Sequence, residues 1–360
     1  MTHAKGTNMS IRLIGAALAA LAIGGCATVP GGPRWAEGDP PALVGAAVET
    51  VVTTDPEVDA DDPALWADAS DPSRAVMFGT DKSDGLYVHD LDGSVRQFLP
   101  SGALVNVDLR TGFSAEGRED FVLVGATNDQ HMGINLYLFD PLTLETRDYG
   151  FLPTDMGEPY GFCMGRRDGA FYLVANNKPG EIKIWRVAAA SDGPDATLVR
   201  SLKVGSQPEG CVVDEQADTL YVGEEDVGIW RFDFDPAGSS DPVGVAMVDR
   251  HRITDDVEGL TIMRDGGHSY LIASSQGDDT FPVFRIEEGG ETYVGRFAIV
   301  ARGAIDGVTS TDGVDAWSGP IGAFPEGLIA VHDDRDEPKR RQQNYKLVDW
   351  REIKQALQLP

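Results

Sequence analysis

Tyr160-Gly161-Phe162-Cys163, Glu209-Gly210-Cys211-Val212 and Glu258-Gly259-Leu260-Thr261 repeat one short pattern: an acid or a tyrosine, a glycine, then the start of an apolar strand. The glycines at 161, 210 and 259 are twice 49 residues apart. Asp62-Pro63-Ala64-Leu65-Trp66, Val107-Asp108-Leu109-Arg110 and Glu326-Gly327-Leu328-Ile329 read as three further copies, which makes six. A repeat of roughly 40–50 residues built from short strands predicts propeller blades. The expected fold is therefore all-β, a six-bladed β-propeller that gathers equivalent strand ends around one axis. Polar residues far apart in sequence then line one central mouth.

The strands within each repeat agree. After the copies come apolar strands with a polar end, at 75–81, 121–128, 171–177, 220–225 and 270–276. A third strand follows at 86–91, 134–139, 182–187, 229–234 and 282–286. Alternation such as Leu86-Tyr87-Val88-His89 and Ile182-Lys183-Ile184-Trp185 has the period of a half-buried strand. Asp92-Gly93, Asp168-Gly169 and Asp265-Gly266-Gly267 supply turn residues between strands. Only 350–357 reads as helical. A β-sandwich of short strands is the competing fold, but it requires no repeat. Closure is expected from distant segments, with 46–53 beside the blade that holds 328–331 and 345–348, which leaves no free sheet edge.

The N-terminus reads as a targeting segment. Lys5 and Arg12 precede an apolar run at 13–23, which is too short to span hydrocarbon. Ile23-Gly24-Gly25-Cys26 resembles a bacterial lipobox with Cys26 as the lipidated residue. The expected organisation is a signal peptide at 1–25, a lipidated tether at 26–44 and a propeller domain at 45–360. Ala27, rather than an aspartate, follows Cys26 and favours an outer-membrane lipoprotein, in the periplasm or at the cell surface, touching the membrane through its lipid only. Cys163 and Cys211 sit at equivalent repeat positions. They read as two buried thiols acting as small hydrophobes, while an oxidising compartment leaves their pairing open.

With Lys5 and Arg12 taken from the 30 basic residues, 28 remain against 58 acidic, a net charge of −30. That argues against a nucleic-acid partner. Many acids cluster at strand ends: Thr80-Asp81-Lys82, Asn128-Asp129, Glu224-Glu225-Asp226, and the strand entries Asp61-Asp62, Tyr160, Glu209 and Glu258. Residues 306–315 and His332-Asp333-Asp334 add further oxygen donors. Asp alternating with Gly suits a hard cation, which takes oxygen ligands in number. No His pair or Cys cluster has zinc spacing. Lys82 and Lys178 stand among the acids at the same kind of position, and an acidic mouth carrying lysines suits a polyanion that arrives with metal.

These residues carry a family resemblance. Asp59-Ala60-Asp61-Asp62-Pro63-Ala64-Leu65-Trp66 and Asn106-Val107-Asp108-Leu109-Arg110 resemble the two signature motifs of β-propeller phytases. Tyr160-Gly161-Phe162, Glu209-Gly210, 221–226, 256–262, 273–277, Thr311-Asp312-Gly313-Val314-Asp315 and Asn344-Tyr345-Lys346-Leu347-Val348 extend the likeness over about 49–350. The resemblance implies several calcium ions, ligated by Glu49, Asp62, Tyr160, Glu209, Glu225, Glu258, Gln276, Asp306, Asp312 and Asp333. It implies catalysis by Glu209, Glu225, Tyr160, Lys82 and Lys178, with Lys82, Lys178 and Tyr160 on the substrate. The activity implied is that of a 3-phytase: phosphate release from calcium phytate by direct attack of a calcium-activated water, by a monomer. Three positions depart from the family pattern. Asp129 stands where an arginine is usual, Pro179 where a glutamate often follows, and Val105-Asn106 where the asparagine is doubled.

Other phosphatase chemistries lack their residues. Arg250-His251-Arg252 is not the Arg-His-Gly of histidine acid phosphatases, and Gly169 and Ala217 stand six positions after Cys163 and Cys211, where a cysteine phosphatase needs arginine. A lactonase-like calcium hydrolase and a non-catalytic binding propeller are the remaining alternatives, because propellers host many functions.

Overall fold

The computed structural model describes residues 40–51, 59–191, 193–337 and 342–360, together with Met1, Trp35 and Gly38. The signal segment and Cys26 lie outside the described residues. Six sheets follow one another along the chain, at 60–100, 104–153, 159–203, 208–247, 257–299 and 314–349. Each is an antiparallel meander, so a hairpin connects every strand to the next. The first strand of each sheet packs on the first strand of the next, from Ala60–Ala67 round to Val314–Ser318 and back. This is the expected six-bladed β-propeller, with the first strands innermost.

Closure joins the two ends of the chain. Val48–Glu49 forms the outermost strand of blade 6, with Val48 opposite Leu347 and Glu49 opposite Lys346. Just before it, Ala42–Val44, in the stretch read as tether, runs parallel to Gly290–Ile299 and adds a fifth strand to blade 5. Trp350–Ala356 is the expected helix. Asp349 caps it by accepting from Arg351 N, and Trp350 and Ile353 are buried under blades 5 and 6. The apolar core lies between blades: Trp66 and Phe78 of blade 1 meet Phe139 of blade 2 edge-on, at 4.8 and 5.5 Å.

The mouth is shaped by a bulge that recurs at one level. Register breaks at 60/63, 104/107, 159/162, 208/211 and 257/260, each time leaving two residues out of the ladder. A bulge re-aims side chains. The displaced pairs are Asp61-Asp62, Val105-Asn106, Tyr160-Gly161, Glu209-Gly210 and Glu258-Gly259. In blade 6 Asp312-Gly313 takes this place, directly before the inner strand and 54 residues after Glu258-Gly259. Three of the expected copies are thereby corrected, that of blade 1 by one residue, from Asp62-Pro63 to Asp61-Asp62. Glu326-Gly327 opens the second strand of blade 6 at the opposite face, where Gly327 pairs with Ser318 and Glu326 binds Lys354 at 2.7 Å. In blade 2 the equivalent pair is Val105-Asn106, two residues before the predicted Val107-Asp108.

Neighbouring inner strands share no backbone ladder, so contacts across the seams must hold them. At the mouth, a methyl on Gly161 would overlap the Glu209 carbonyl, and one on Gly210 the Glu258 carbonyl. Gly259 N donates to Asp312 O and Gly313 N to Asp61 O, each at 3.0 Å. One layer below, side chains accept the inner-strand N–H groups of the next blade. Asp62 accepts from Val107 N (2.9 Å), Asp108 from Met164 N (2.7 Å), Thr261 from Ala316 N (3.0 Å) and Asp315 from Leu65 N (2.7 Å).

Cys163 and Cys211 form a disulfide across the blade 3–blade 4 seam, with Cα atoms 5.6 Å apart. The reading as separate thiols is corrected: equivalent positions on adjacent inner strands are neighbours in space.

Gly210→Ala is expected to destabilise the fold by about 1–3 kcal/mol, because overpacked sites relax at that cost. Gly289→Ala, which meets no atom within 4 Å, is the control. Equal urea midpoints for the two variants would refute the close-approach argument.

Candidate active site

Six inner strands and the adjoining hairpins bring the expected residues together at one face. Asp61, Tyr160, Glu209, Glu258 and Asp312 enter from the bulge level of blades 1, 3, 4, 5 and 6. Lys82, Glu225 and Gln276 come from the ends of the second strands of blades 1, 4 and 5. Blade 2 contributes the buried Val105, so its share of the rim has no donor at this level.

Glu209, Glu225 and Glu258 present carboxylate oxygens all within 4.8 Å of one another. Glu209 and Glu258 are buried. Burial raises both above the ordinary carboxylate range, and their mutual repulsion raises Glu258 far further. Tyr160 is hydrogen-bonded to Glu209. Burial pushes Glu225 up to about 7, although Gln207 donates to it at 2.6 Å. On the other side of the mouth Lys82 Nζ lies 2.6 Å from Asp61 and 3.5 Å from Asp312. Burial, only partly opposed by Lys82, sets Asp61 at about 7 and Asp312 at about 6. Gln276 donates to Asp312, whose backbone N–H donates to His332 Nδ1 at 3.1 Å.

These donors fit a hard cation. All are oxygens, they come from separate strands, and Glu258 Oε2 is buried without a hydrogen-bond partner. Lys82 alone cannot neutralise five carboxylates.

Lys178 sits at the exposed rim. Its ammonium lies 4.6 Å from the Tyr160 ring centroid and 2.8 Å from Glu158. Asp129 is half-buried beside this pair. Burial raises its pKa, Glu158 adds to the rise and Lys178 opposes it.

The remaining expected ligands fall elsewhere. Asp62 does not face the mouth: one oxygen accepts from Val107 N, the other packs on Gly313, and Asp61 takes the mouth position instead. Glu49, Asp306 and Asp333 form a second cluster at the closure of blade 6. It surrounds the buried Lys346, which reaches Asp333, Asp306 at 2.7 Å and Glu49 at 3.9 Å. Glu49, Asp306 and Asp336 still present oxygens within 4.8 Å of each other, so the corner has room for a cation beside its own ammonium. Sequence reasoning placed Asp61-Asp62 together at a strand entry without choosing Asp61 as the one that faces the mouth, and it missed Lys346 as an internal counter-ion and His332 as the support of Asp312. The doubled Asp61-Asp62 was the one available signal.

Fold and site together define a propeller with a cation-seeking, lysine-bearing mouth, an arrangement suited to phosphate chemistry. The family model described as Phytase matches residues 11–359. The 3-phytase of Bacillus subtilis (strain 168) is 34% identical over 310 residues, covering 83% of this chain and 81% of that protein. A solved chain from Desulfotomaculum acetoxidans DSM 771, described as functionally unknown, shares 14% identity over 65% of this chain and 71% of its own, with a TM-score of 0.46. That likeness is too remote to carry an argument. The chain belongs to the phytase family.

The electrostatics predict how stability responds to pH. The folded chain raises Asp61, Asp312, Asp315 and Glu225 to about 6–7, so it binds more protons than the unfolded chain between about pH 4 and 7. Stability must then fall as pH rises through that window. In chelator the melting temperature is expected to drop from pH 4.5 to 7, and calcium is expected to abolish the drop. A flat profile in chelator would show the mouth carboxylates to be effectively solvated.

Proposed function

We propose that the chain is a 3-phytase that releases phosphate from phytate, myo-inositol hexakisphosphate, presented as its calcium complex. The observation that carries this reading is the convergence of Glu209, Glu225 and Glu258 opposite Lys82 in a chain of the phytase family. Lys82, held between Asp61 and Asp312, directs an ammonium at a phosphate oxygen, and Lys178 does the same at the rim once it parts from Glu158. Glu225, at the edge of the cluster, accepts a proton from an attacking water, while Glu209 and the Tyr160 hydroxyl hold that water in line. Calcium bound among Glu209, Glu225, Glu258 and Asp312 would neutralise substrate charge and lower the pKa of a coordinated water. The second cluster, at Glu49, Asp306 and Asp333, would hold calcium for stability.

Phosphate release from calcium phytate, with a lactone and a simple phosphomonoester as controls, separates this from the lactonase-like and non-catalytic readings. Glu225→Gln is expected to lower kcat by at least ~100-fold with an unchanged fold, as loss of a general base does. Lys178→Ala is expected to raise KM about 10-fold and leave kcat nearly intact, because a rim clamp binds ground and transition states alike. An active Glu225→Gln variant would overturn the site.

Lipidation at Cys26 and an outer-membrane, periplasm- or surface-facing location belong to the same proposal. They rest on the sequence at 5–26. Among the described residues no helix is long and apolar enough to cross a membrane. Cys26→Ser is expected to shift the protein from the detergent phase to the soluble fraction, and an unchanged partition would remove the anchor.

A further inference from the structure

The Cys163–Cys211 disulfide has no part in the chemistry above, yet it lies directly beneath it. Cys163 is three residues beyond Tyr160, and Cys211 two beyond Glu209. Both are buried. The bridge joins the inner strands of blades 3 and 4, which belong to different sheets. Above it, non-covalent contacts join the same seam: Tyr160 is hydrogen-bonded to Glu209, and Gly161 packs on the Glu209 carbonyl. Asn176 accepts from Gly161 N at 3.0 Å and donates to Glu209 O at 2.6 Å. Among the described residues no other seam carries a covalent tie. The next seam, between blades 4 and 5, is joined without a covalent tie: Val257 N donates to Glu225 O at 3.1 Å, Arg264 pairs with Asp214 at 2.9 Å, and Tyr221 and Arg231 both reach Glu291 at 2.8 Å.

We infer that the Cys163–Cys211 disulfide positions the cation site of the mouth, holding Tyr160 and Glu209 in register while no cation is bound, so that calcium enters a site already formed on one side. This rests on the reading that Glu209, Glu225 and Glu258 hold calcium. Their oxygens lie within 4.8 Å of one another across the seams, an arrangement that strains apart when no cation lies between them. Hydrogen bonds yield to that strain; a covalent link two or three residues away does not. Without the link, binding must also close the blade 3–blade 4 seam, and the free energy of closing it is lost from the apparent affinity. Cys163 and Cys211 are therefore positioning residues that act through Tyr160 and Glu209. The bridge also makes the site redox-sensitive. A dithiol reductant supplies two electrons and two protons, cleaves the S–S bond to two thiols and is itself oxidised to a cyclic disulfide.

The test compares the oxidised full chain, the dithiothreitol-treated chain and a Cys163→Ser/Cys211→Ser double variant. Calcium binding is followed by titration calorimetry, and melting temperature is measured in calcium and in chelator. Reduced and doubly substituted proteins are expected to bind calcium about 10-fold more weakly, with kcat at saturating calcium within about 2-fold of the oxidised enzyme. Their gain in melting temperature on adding calcium is expected to be correspondingly smaller. A staple with only a structural role would instead lower the melting temperature equally in calcium and chelator and leave the calcium titration unmoved. That result overturns the inference, as does finding two free thiols in the oxidised chain. If the serine pair fails to fold, Cys163→Ala/Cys211→Ala keeps the seam apolar and carries the comparison. Calcium binding without phosphate release would defeat the functional reading and leave this inference to stand or fall on the titrations.

Discussion

Everything in this molecule depends on how six inner strands, none hydrogen-bonded to the next by a ladder, are held side by side. Each inner strand is an edge strand whose unpaired backbone groups need partners. The chain satisfies them in two layers. At the mouth, backbone meets backbone, and the glycines of blades 3 to 6 remove the methyl that would keep the carbonyls apart. Below, Asp62, Asp108, Thr261 and Asp315 accept N–H groups of the neighbouring blade. Because backbone carries most of the contact in the upper layer, with Asn176 bridging the blade 3–4 seam, the acidic side chains there are not used to join blades. Because side chains do the holding in the lower layer, its carboxylates are committed to structure. The acidity of the chain thus divides by level and not by sequence neighbourhood.

That division explains what could be read in advance. Glycine at 161, 210 and 259 was legible because a steric demand admits only one residue, and the demand recurs at the blade period. Blade 6 broke the pattern: the segment at 300–313 lengthens its repeat, and Glu326-Gly327 imitates the motif at the wrong end of a strand. Blade 2 has neither acid nor glycine at the bulge, so Val105-Asn106 gave no signal. The fourth strands, such as Val95–Pro100, lie outermost and alternate between exposed and half-buried, and their polar faces carry little periodic hydrophobicity. The role of Asp61 against that of Asp62 was illegible for another reason. Two adjacent carboxylates differ only in which way a bulge turns them, and register across a bulge is a property of the pair of strands.

The two acidic clusters differ in how they meet their own repulsion. At the closure of blade 6, Lys346 rises from the strand that pairs with Glu49 and places an ammonium among Glu49, Asp306 and Asp333. The positive charge there is covalently part of the chain, so the corner that joins the two ends of the protein can form before any ion arrives. In the mouth, Lys82 pairs directly with Asp61 and Asp312 and acts on Glu209 only from a distance. The side formed by Glu209, Glu225 and Glu258 has no internal cation among the described residues, and it keeps a buried carboxylate oxygen without a partner.

An internal counter-ion and an imported one have different consequences. A lysine is a permanent member of its cluster and meets part of the acidic charge before any ligand arrives. A cation drawn from solution leaves coordination positions that a water and a phosphate oxygen can fill, at the cost of a cluster strained whenever the cation is absent. The fold confines that strain to the blade 3–4–5 sector and braces one of its two seams with the Cys163–Cys211 bridge. The braced seam carries Tyr160 and Glu209, the residues that the proposed function places on the attacking water. The seam between blades 4 and 5 carries Glu258, whose backbone carbonyl packs on Gly210 and whose buried carboxylate faces Glu209 with one oxygen unpartnered. The covalent tie thus lies on one side of the three-glutamate cluster, and the other side is joined by non-covalent contacts alone.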